Sequence, residues 1–402
     1  MNYRNSFVKI YLRTTALLFL AGIFFSNAIL QISTGLFLPF IVYVTIKKAR
    51  ENRLKAIEIL IILLFLSGVL SIYVSPVPFL AFKNIIRHCI LLTLIPLLYI
   101  TDNDDIISID IIGKCISIFA LITASYGIVR YFDGAERAFG FFAGYYTLAS
   151  VLAFGLPITF AYIFYSTSYW KHLTIISTIF QFTALWLTFT RSALLGIIIG
   201  SIIVIMFLLF QGNISKLART KIIIASIAFV SVFIILLFTN ADTRLNPIKI
   251  FSSHDISSGR FGIYTDAYNT IRTDFQSNWE NILIGHGLNS RIILFPGSQF
   301  TSWESEYVES LMTQGLIGLL LVILIYIQFF KNLLTLLMRS KNSQNRIFSF
   351  GLAISGISFG IISFFSSQLL GQNSSAYFVV LYSLILLIDK VSKKYDMNTG
   401  IN

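Results

Sequence analysis

The chain has 402 residues, 56% of them hydrophobic and only 12% charged, with a mean hydropathy of +0.80. Soluble globular chains carry about a quarter charged residues, so water is excluded as the solvent for much of this one and lipid must take its place. The formal charge of +12 does not make a nucleic-acid surface either, because the basic residues are scattered between apolar runs and form no basic face. They read as topology anchors, and no nucleic-acid partner is expected. The 38 Phe and 19 Tyr suit membrane interiors and interfacial aromatic belts. The two cysteines, Cys89 and Cys115, both lie inside apolar stretches and give no basis for a disulfide framework or a thiolate metal site.

An apolar run of about 20 residues crosses a bilayer as a helix. Such runs occur at 12–28, 29–46, 56–75, 85–100, 106–128, 145–166, 172–190, 192–211, 220–239, 307–330, 346–369 and 374–389. Only Asn27 and Ser33 hint at a break between the first two, so eleven spans is the competing count. The first run lacks a small-residue cleavage signature and is expected to be retained. No internal repeat is visible, which gives no support to a transporter of duplicated halves. The expected fold is an all-α integral membrane protein, a bundle of about twelve (11–12) transmembrane helices with one long periplasmic loop containing short helices. Residues 1–239 would hold helices 1–9, residues 240–305 the loop, and residues 306–402 helices 10–12 with the C-terminus.

Charge asymmetry orients the bundle. With a cytoplasmic N-terminus, the even connections carry Lys47, Lys48, Arg50, Arg53 and Lys55, then Lys171, then Lys216, Arg219 and Lys221, then Lys331, Arg339, Lys341 and Arg346. Positive residues mark the cytoplasmic side, so both termini are expected there, in a bacterial inner membrane. The short connection 101–105 dissents, being acidic, and reads as a solvated interfacial run.

In chain order, the basic residues on the outer side are Lys83 and Arg87, then Arg130 and Arg137, then Arg191. They violate the positive-inside rule and would ring one outer vestibule, which suits a polyanionic headgroup such as a pyrophosphate. Arg191, in Trp186-Leu-Thr-Phe-Thr-Arg191-Ser192, joins two spans with almost no loop. An arginine at the membrane boundary marks a functional site with a partner; the competing reading is an anchor that snorkels to headgroups.

Residues 240–305 break the pattern with roughly 65 polar-rich positions, a length that usually carries function. Phe261, Ile263, Tyr264, Ala267, Tyr268 and Ile271 recur at helical spacing, so an amphipathic helix is expected there. Arg260, flanked by Gly259, would open it, placing a guanidinium beside the helix's positive end as an anion site. His286, in Ile284-Gly-His-Gly287, is a candidate base because histidine is the side chain suited to that role at neutral pH, though a lone loop histidine is more often incidental. Where the loop returns to the membrane stands Trp303-Glu-Ser-Glu-Tyr-Val-Glu309. Glu306 and Glu309, three apart, share a helix face, and acids in a first turn also complement the helix dipole. Three carboxylates beside Trp303 exceed what capping needs. No metal-binding constellation appears in the sequence, and no cofactor or metal is expected.

Three motifs together resemble the O-antigen ligase and O-antigen polymerase superfamily of bacterial membrane proteins. These are Thr190-Arg-Ser192 before an apolar span, Gly259-Arg260 with its helix leading to Gly285-His-Gly287, and Glu304-Ser-Glu-Tyr-Val308 running into Gln314-Gly-Leu-Ile-Gly318. The likeness covers residues 140–330 closely and the rest only as spans. Ligases of that family typically carry a histidine at the place of Glu304, and the carboxylate here is a variant associated with polymerases. The resemblance implies metal-independent glycosyl transfer, with inversion, from an undecaprenyl-pyrophosphate-linked glycan on the outer face of the membrane. Its product would be O-antigen, capsule or exopolysaccharide, with a chain-length regulator protein as a possible partner beside membrane lipid. Glu304, beside Trp303, would be the base. Arg191 and Arg260 would stabilise the leaving diphosphate, with Arg291, His286, Arg137, Arg130, Arg87, Glu306 and Trp303 as substrate contacts. The alternatives are a ligase that delivers the glycan to lipid A-core, and a lipid-linked oligosaccharide flippase. The flippase would need charges deep in several spans, where Lys114 is the lone candidate.

Overall fold

A computed structural model describes residues 3–102, 106–142, 144–210, 260–298, 302–339, 343–371 and 373–399, with 220, 224 and 231. Every regular element among them is helical. In order these are α1 (Tyr3–Phe25), α2 (Asn27–Arg50), α3 (Ala56–Val74), α4 (Pro78–Leu92), α5 (Leu94–Asp102), α6 (Ile109–Phe132), α7 (Tyr145–Tyr165), α8 (Ser168–Leu187) and α9 (Arg191–Phe210). After residues 211–259 come α10 (Arg260–Ser277), α11 (Trp279–Ile284), α12 (Arg291–Leu294), α13 (Glu306–Arg339), α14 (Ser343–Ser363) and α15 (Ser374–Thr399).

Ten stretches among the described residues are long and apolar enough to cross a membrane, with α4 and α5 counting as one. The bundle is that of a polytopic membrane protein. α8 has 20 residues but is not among the ten; its polar opening through Lys171 and His172, and the buried Gln181, lower its hydropathy. The expected span 220–239 lies outside the described residues except for 220, 224 and 231, and Lys216, Arg219, Lys221, Lys341, Asn103, Asp104 and Asp105 lie outside them as well.

Local sequence explains the breaks. α1 and α2 are two helices because Ser26 takes an extended backbone and its hydroxyl accepts from the Ala28 N–H, an N-cap. Pro96 separates α4 from α5: it has no N–H to offer the Leu92 carbonyl, and its ring crowds that position. α13 kinks at Gly315, whose φ of 68° leaves the helical region.

A single apolar core runs through the bundle, and α7 is sheathed on nearly all sides. At one end, the buried Lys48–Glu58 pair, 2.5 Å, joins α2 to α3, and Lys55–Asp102, 3.2 Å, joins the turn before α3 to α5. Lys390 near the C-terminus donates to the Asp102 carbonyl at 2.6 Å, so the chain end gathers here too. At the opposite end lie the connections 75–77, 133–142, 188–190 and 364–371; Gly287 packs on Ser75, Glu306 binds the backbone of Leu369, Arg260 meets Tyr146 at the start of α7, and Ala138 donates to the Leu187 carbonyl. That end carries the candidate site.

Candidate functional site

The expected amphipathic helix is α10, and Arg260 is its first residue. Ile263 and Ala267 turn inward to meet Trp303 and Met312 in a small second core. This packing brings the start of α10 against residues 302–306, so two positions far apart in sequence become neighbours. The Arg260 Nη2 donates to the Tyr146 hydroxyl at 2.6 Å and stands 3.7 Å from a Glu304 carboxylate oxygen. The other Glu304 oxygen accepts from the Ser302 hydroxyl at 2.8 Å. The side chains are 15% and 23% exposed, so both are sheltered without being sealed. Burial acts to lower the Arg260 pKa, but Tyr146 first and Glu304 after it raise it, and the net shift is upward. The guanidinium therefore stays charged while its Nε is buried without a hydrogen-bond partner among the described residues. Burial likewise raises the phenol of Tyr264, the Arg260 charge opposing.

Glu304 has a φ of 52°, the left-handed region that a side chain with a Cβ occupies at a cost of about 1–2 kcal/mol. Its neighbours hold it there. Trp303, fully buried, donates its backbone N–H to the Glu309 carboxylate at 2.9 Å. Arg291 lies 4.6 Å from the centre of the Trp303 ring and 5.2 Å from that of Phe295. It also donates to Asp266 of α10 at 2.9 Å. Arg291 is 2% exposed and so bridges the helix that carries Arg260 to the turn that carries Glu304.

The other two carboxylates face different tasks. Glu306 is fully buried and accepts from the backbone N–H groups of Gln368, Leu369 and Leu370, the last two at 2.5 and 3.0 Å. It ties the start of α13 to the 364–371 connection. Glu309 holds Trp303. Glu304 is the member of the trio whose carboxylate is shared between a hydroxyl and a guanidinium.

The glycines of Gly285-His-Gly287 serve close approach. Both have a φ of 85°, and the N–H groups of His286 and Gly287 donate to the Met312 and Thr313 carbonyls at 2.8 and 3.0 Å. A Cβ on Gly285 would fall 2.4 Å from the Gln314 nitrogen, and one on Gly287 2.5 Å from the Ser75 Cβ. The turn thus docks between α3 and the kink of α13. His286 is buried with its Nε2 2.8 Å from Asp274 of α10.

The peripheral arginines occupy the same end. Arg137 lies 4.1 Å from the Tyr145 ring centre, and the Tyr145 and Tyr146 rings are 5.0 Å apart, making a ladder that ends on Arg260. Arg130 lies over Phe139 at 5.0 Å. Arg191 opens α9, half-buried, just after Phe189 and its φ of 50°. Arg87 belongs to α4, and its side chain is outside the described ones. Tyr146, Asp266 and Ser302 were not singled out by the sequence. A tyrosine pair at the mouth of a span reads as interfacial belt, and only the fold brings it to Arg260.

Residues 176–323 match the model of the family described as O-antigen ligase. The matched segment runs from α8 into α13 and takes in Arg191, Arg260, Arg291 and Glu304. No curated protein matches the chain.

Proposed function

We propose, for a chain that belongs to the O-antigen polymerase and ligase superfamily of membrane glycosyltransferases, that it is a polymerase joining polyprenyl-diphosphate-linked repeat units. A hydroxyl of the acceptor sugar attacks the anomeric carbon of the donor glycan. The bond from that carbon to the diphosphate oxygen breaks, and the hydroxyl proton passes to Glu304. The polyprenyl diphosphate leaves with one further negative charge, which Arg260 and Arg191 stabilise. Attack opposite the leaving group inverts the anomeric centre.

The observation that carries this reading is the Arg260–Glu304 pair itself, an acceptor for a proton and a cation for an oxyanion 3.7 Å apart. General base catalysis requires the first within hydrogen-bond reach of the substrate, and charge stabilisation requires the second preorganised. Arg291, Glu306, Glu309 and Trp303 position the pair, and Arg130 and Arg137 extend the positive field at the rim. The scarcity of basic residues in the short connections at the site end supports a periplasmic orientation in an inner membrane, with both termini in the cytoplasm.

The test is polymer formation from purified lipid-linked repeats by Glu304→Gln and Arg260→Ala. Removing a general base or an oxyanion-stabilising donor costs about 10²–10⁴ in rate, and both variants should fall that far while remaining folded. Polymer formation at the normal rate by both would overturn the mechanism. The matched family's description favours a second reading, transfer of the glycan to lipid A-core. Deletion separates the two: core capped by a single repeat is the expected phenotype of a lost polymerase, and wholly uncapped core that of a lost ligase.

A further inference from the structure

α10 carries two apolar faces, and the small core uses one of them. The second consists of Phe261, Tyr268 and Phe275, which are 76%, 65% and 71% exposed. Seven residues fall only about 20° short of two helical turns, so these rings form one stripe. Exposed Arg272 lies within the stripe, and Trp279, 65% exposed, follows it at the start of α11. Exposed Thr265, Asn269 and Gln276 lie along one flank. Soluble surfaces rarely expose large contiguous apolar patches.

The outer surface of the bundle indicates what covers it. α11 packs against both α3 and α13, two of the membrane-crossing helices. A Cβ on Gly315 would fall 2.3 Å from the Leu283 carbonyl carbon, so α11 abuts α13 at its kink. Immediately beyond, Leu316, Ile317 and Leu320 of α13 face outward, 39%, 40% and 58% exposed. Leu283 is 37% exposed, and Trp279, four residues before it, lies on the same side of α11. The lipid-facing surface of α13 therefore continues through Leu283 to Trp279 and on to Phe275.

We infer that α11 and the C-terminal half of α10 lie in the interfacial layer of the bilayer on the site side. Phe275, Trp279 and Leu283 are sunk among the ends of the acyl chains, and Arg272 reaches lipid phosphates. Aromatic rings are enriched at that depth, and a helix of modest overall hydrophobicity with one aromatic edge and one polar flank is the form that lies in it. Phe275 has no polar group to offer a sugar, and continuity with α13 favours lipid over a soluble protein. The inference is independent of the chemistry at Glu304. It has a structural consequence, because Arg260 stands at the other end of the same rigid helix. The depth of the anchor fixes the height of that guanidinium above the hydrocarbon.

The experiment uses full-length protein with Cys89→Ser and Cys115→Ser, in nanodiscs of phosphatidylethanolamine and phosphatidylglycerol. Single nitroxide labels are placed at Phe275→Cys, Trp279→Cys and, on the polar flank, Gln276→Cys. All three positions are exposed, so labelling leaves the fold in place. Labels at 275 and 279 should show oxygen-to-nickel-chelate accessibility ratios several-fold above the label at 276. Equal ratios at all three positions would overturn the proposal. So would labels at 275 and 279 that are open to the nickel chelate and become protected only when lipid-linked glycan is added, which would make the stripe a glycan platform.

Discussion

Glu304, Glu306 and Glu309 are one residue type within six positions, and their surroundings separate their roles. Glu306 satisfies the N–H groups of a returning connection, Glu309 holds the Trp303 backbone, and Glu304 faces Arg260. The left-handed backbone at Glu304 is local strain kept where a side chain must be aimed. Glycine adopts that conformation freely, so Glu304→Gly should leave stability unchanged or raise it by up to about 1 kcal/mol while abolishing transfer. Glu304→Val, β-branched at the same φ, should lower it. Thermal unfolding of the purified variants distinguishes them, and a marked loss of stability in the glycine variant would show that the carboxylate is needed for folding. The sequence marked Arg260 because it opens an amphipathic helix beside a glycine, and Glu304 because three carboxylates exceed what capping needs. It left Tyr146 unmarked, since nothing in a Tyr-Tyr pair specifies which guanidinium it will meet.

At the scale of elements, two motif glycines and the one after Gln314 act as contact surfaces. Gly285, Gly287 and Gly315 combine positive φ with a Cβ position under 3 Å from neighbouring backbone or side-chain atoms, which join α11 and its following turn to α3 and α13. Gly297 also has a positive φ, 90°, but its Cβ position is open. Alanine at Gly297 should therefore cost only the conformational strain, about 1–2 kcal/mol. Alanine at Gly285, Gly287 or Gly315 should cost more, through strain and displaced backbone together, and should release α11. Midpoints of thermal unfolding in detergent check the ranking, and equal losses at all four positions would argue against the docking account. Helix α10 itself was legible from its period, but its two apolar faces were not distinguished. Spacing assigned Phe261 and Tyr268 to the same helix as Ile263 and Ala267 without saying which pair turns inward, because that depends on where Trp303 lies.

For the molecule as a whole, the two ends of the bundle differ in chemistry. One end holds the Lys48–Glu58 and Lys55–Asp102 pairs and the C-terminal Lys390; the other holds the Arg260–Glu304 pair. A reporter domain fused after Asn402 should be active on the cytoplasmic side, whereas a cysteine label at Phe132 should react with an impermeant reagent added outside. Both signals on one side would overturn the proposed orientation. Apolar runs of bilayer length determined from the sequence alone that the chain is a helical membrane bundle, because about 20 continuous apolar residues match a spanning helix and are roughly twice the length of a barrel strand. Short motifs likewise marked Arg191, Arg260 and Glu304. Only the tertiary structure decided which of three neighbouring carboxylates meets a guanidinium and which are tied to backbone. It also decided that Arg291 is turned inward as a brace and that Gly285 and Gly287 are points of backbone contact. These outcomes depend on distances between segments remote in sequence, set by how α10 packs on α13, and residue spacing along one chain does not encode them.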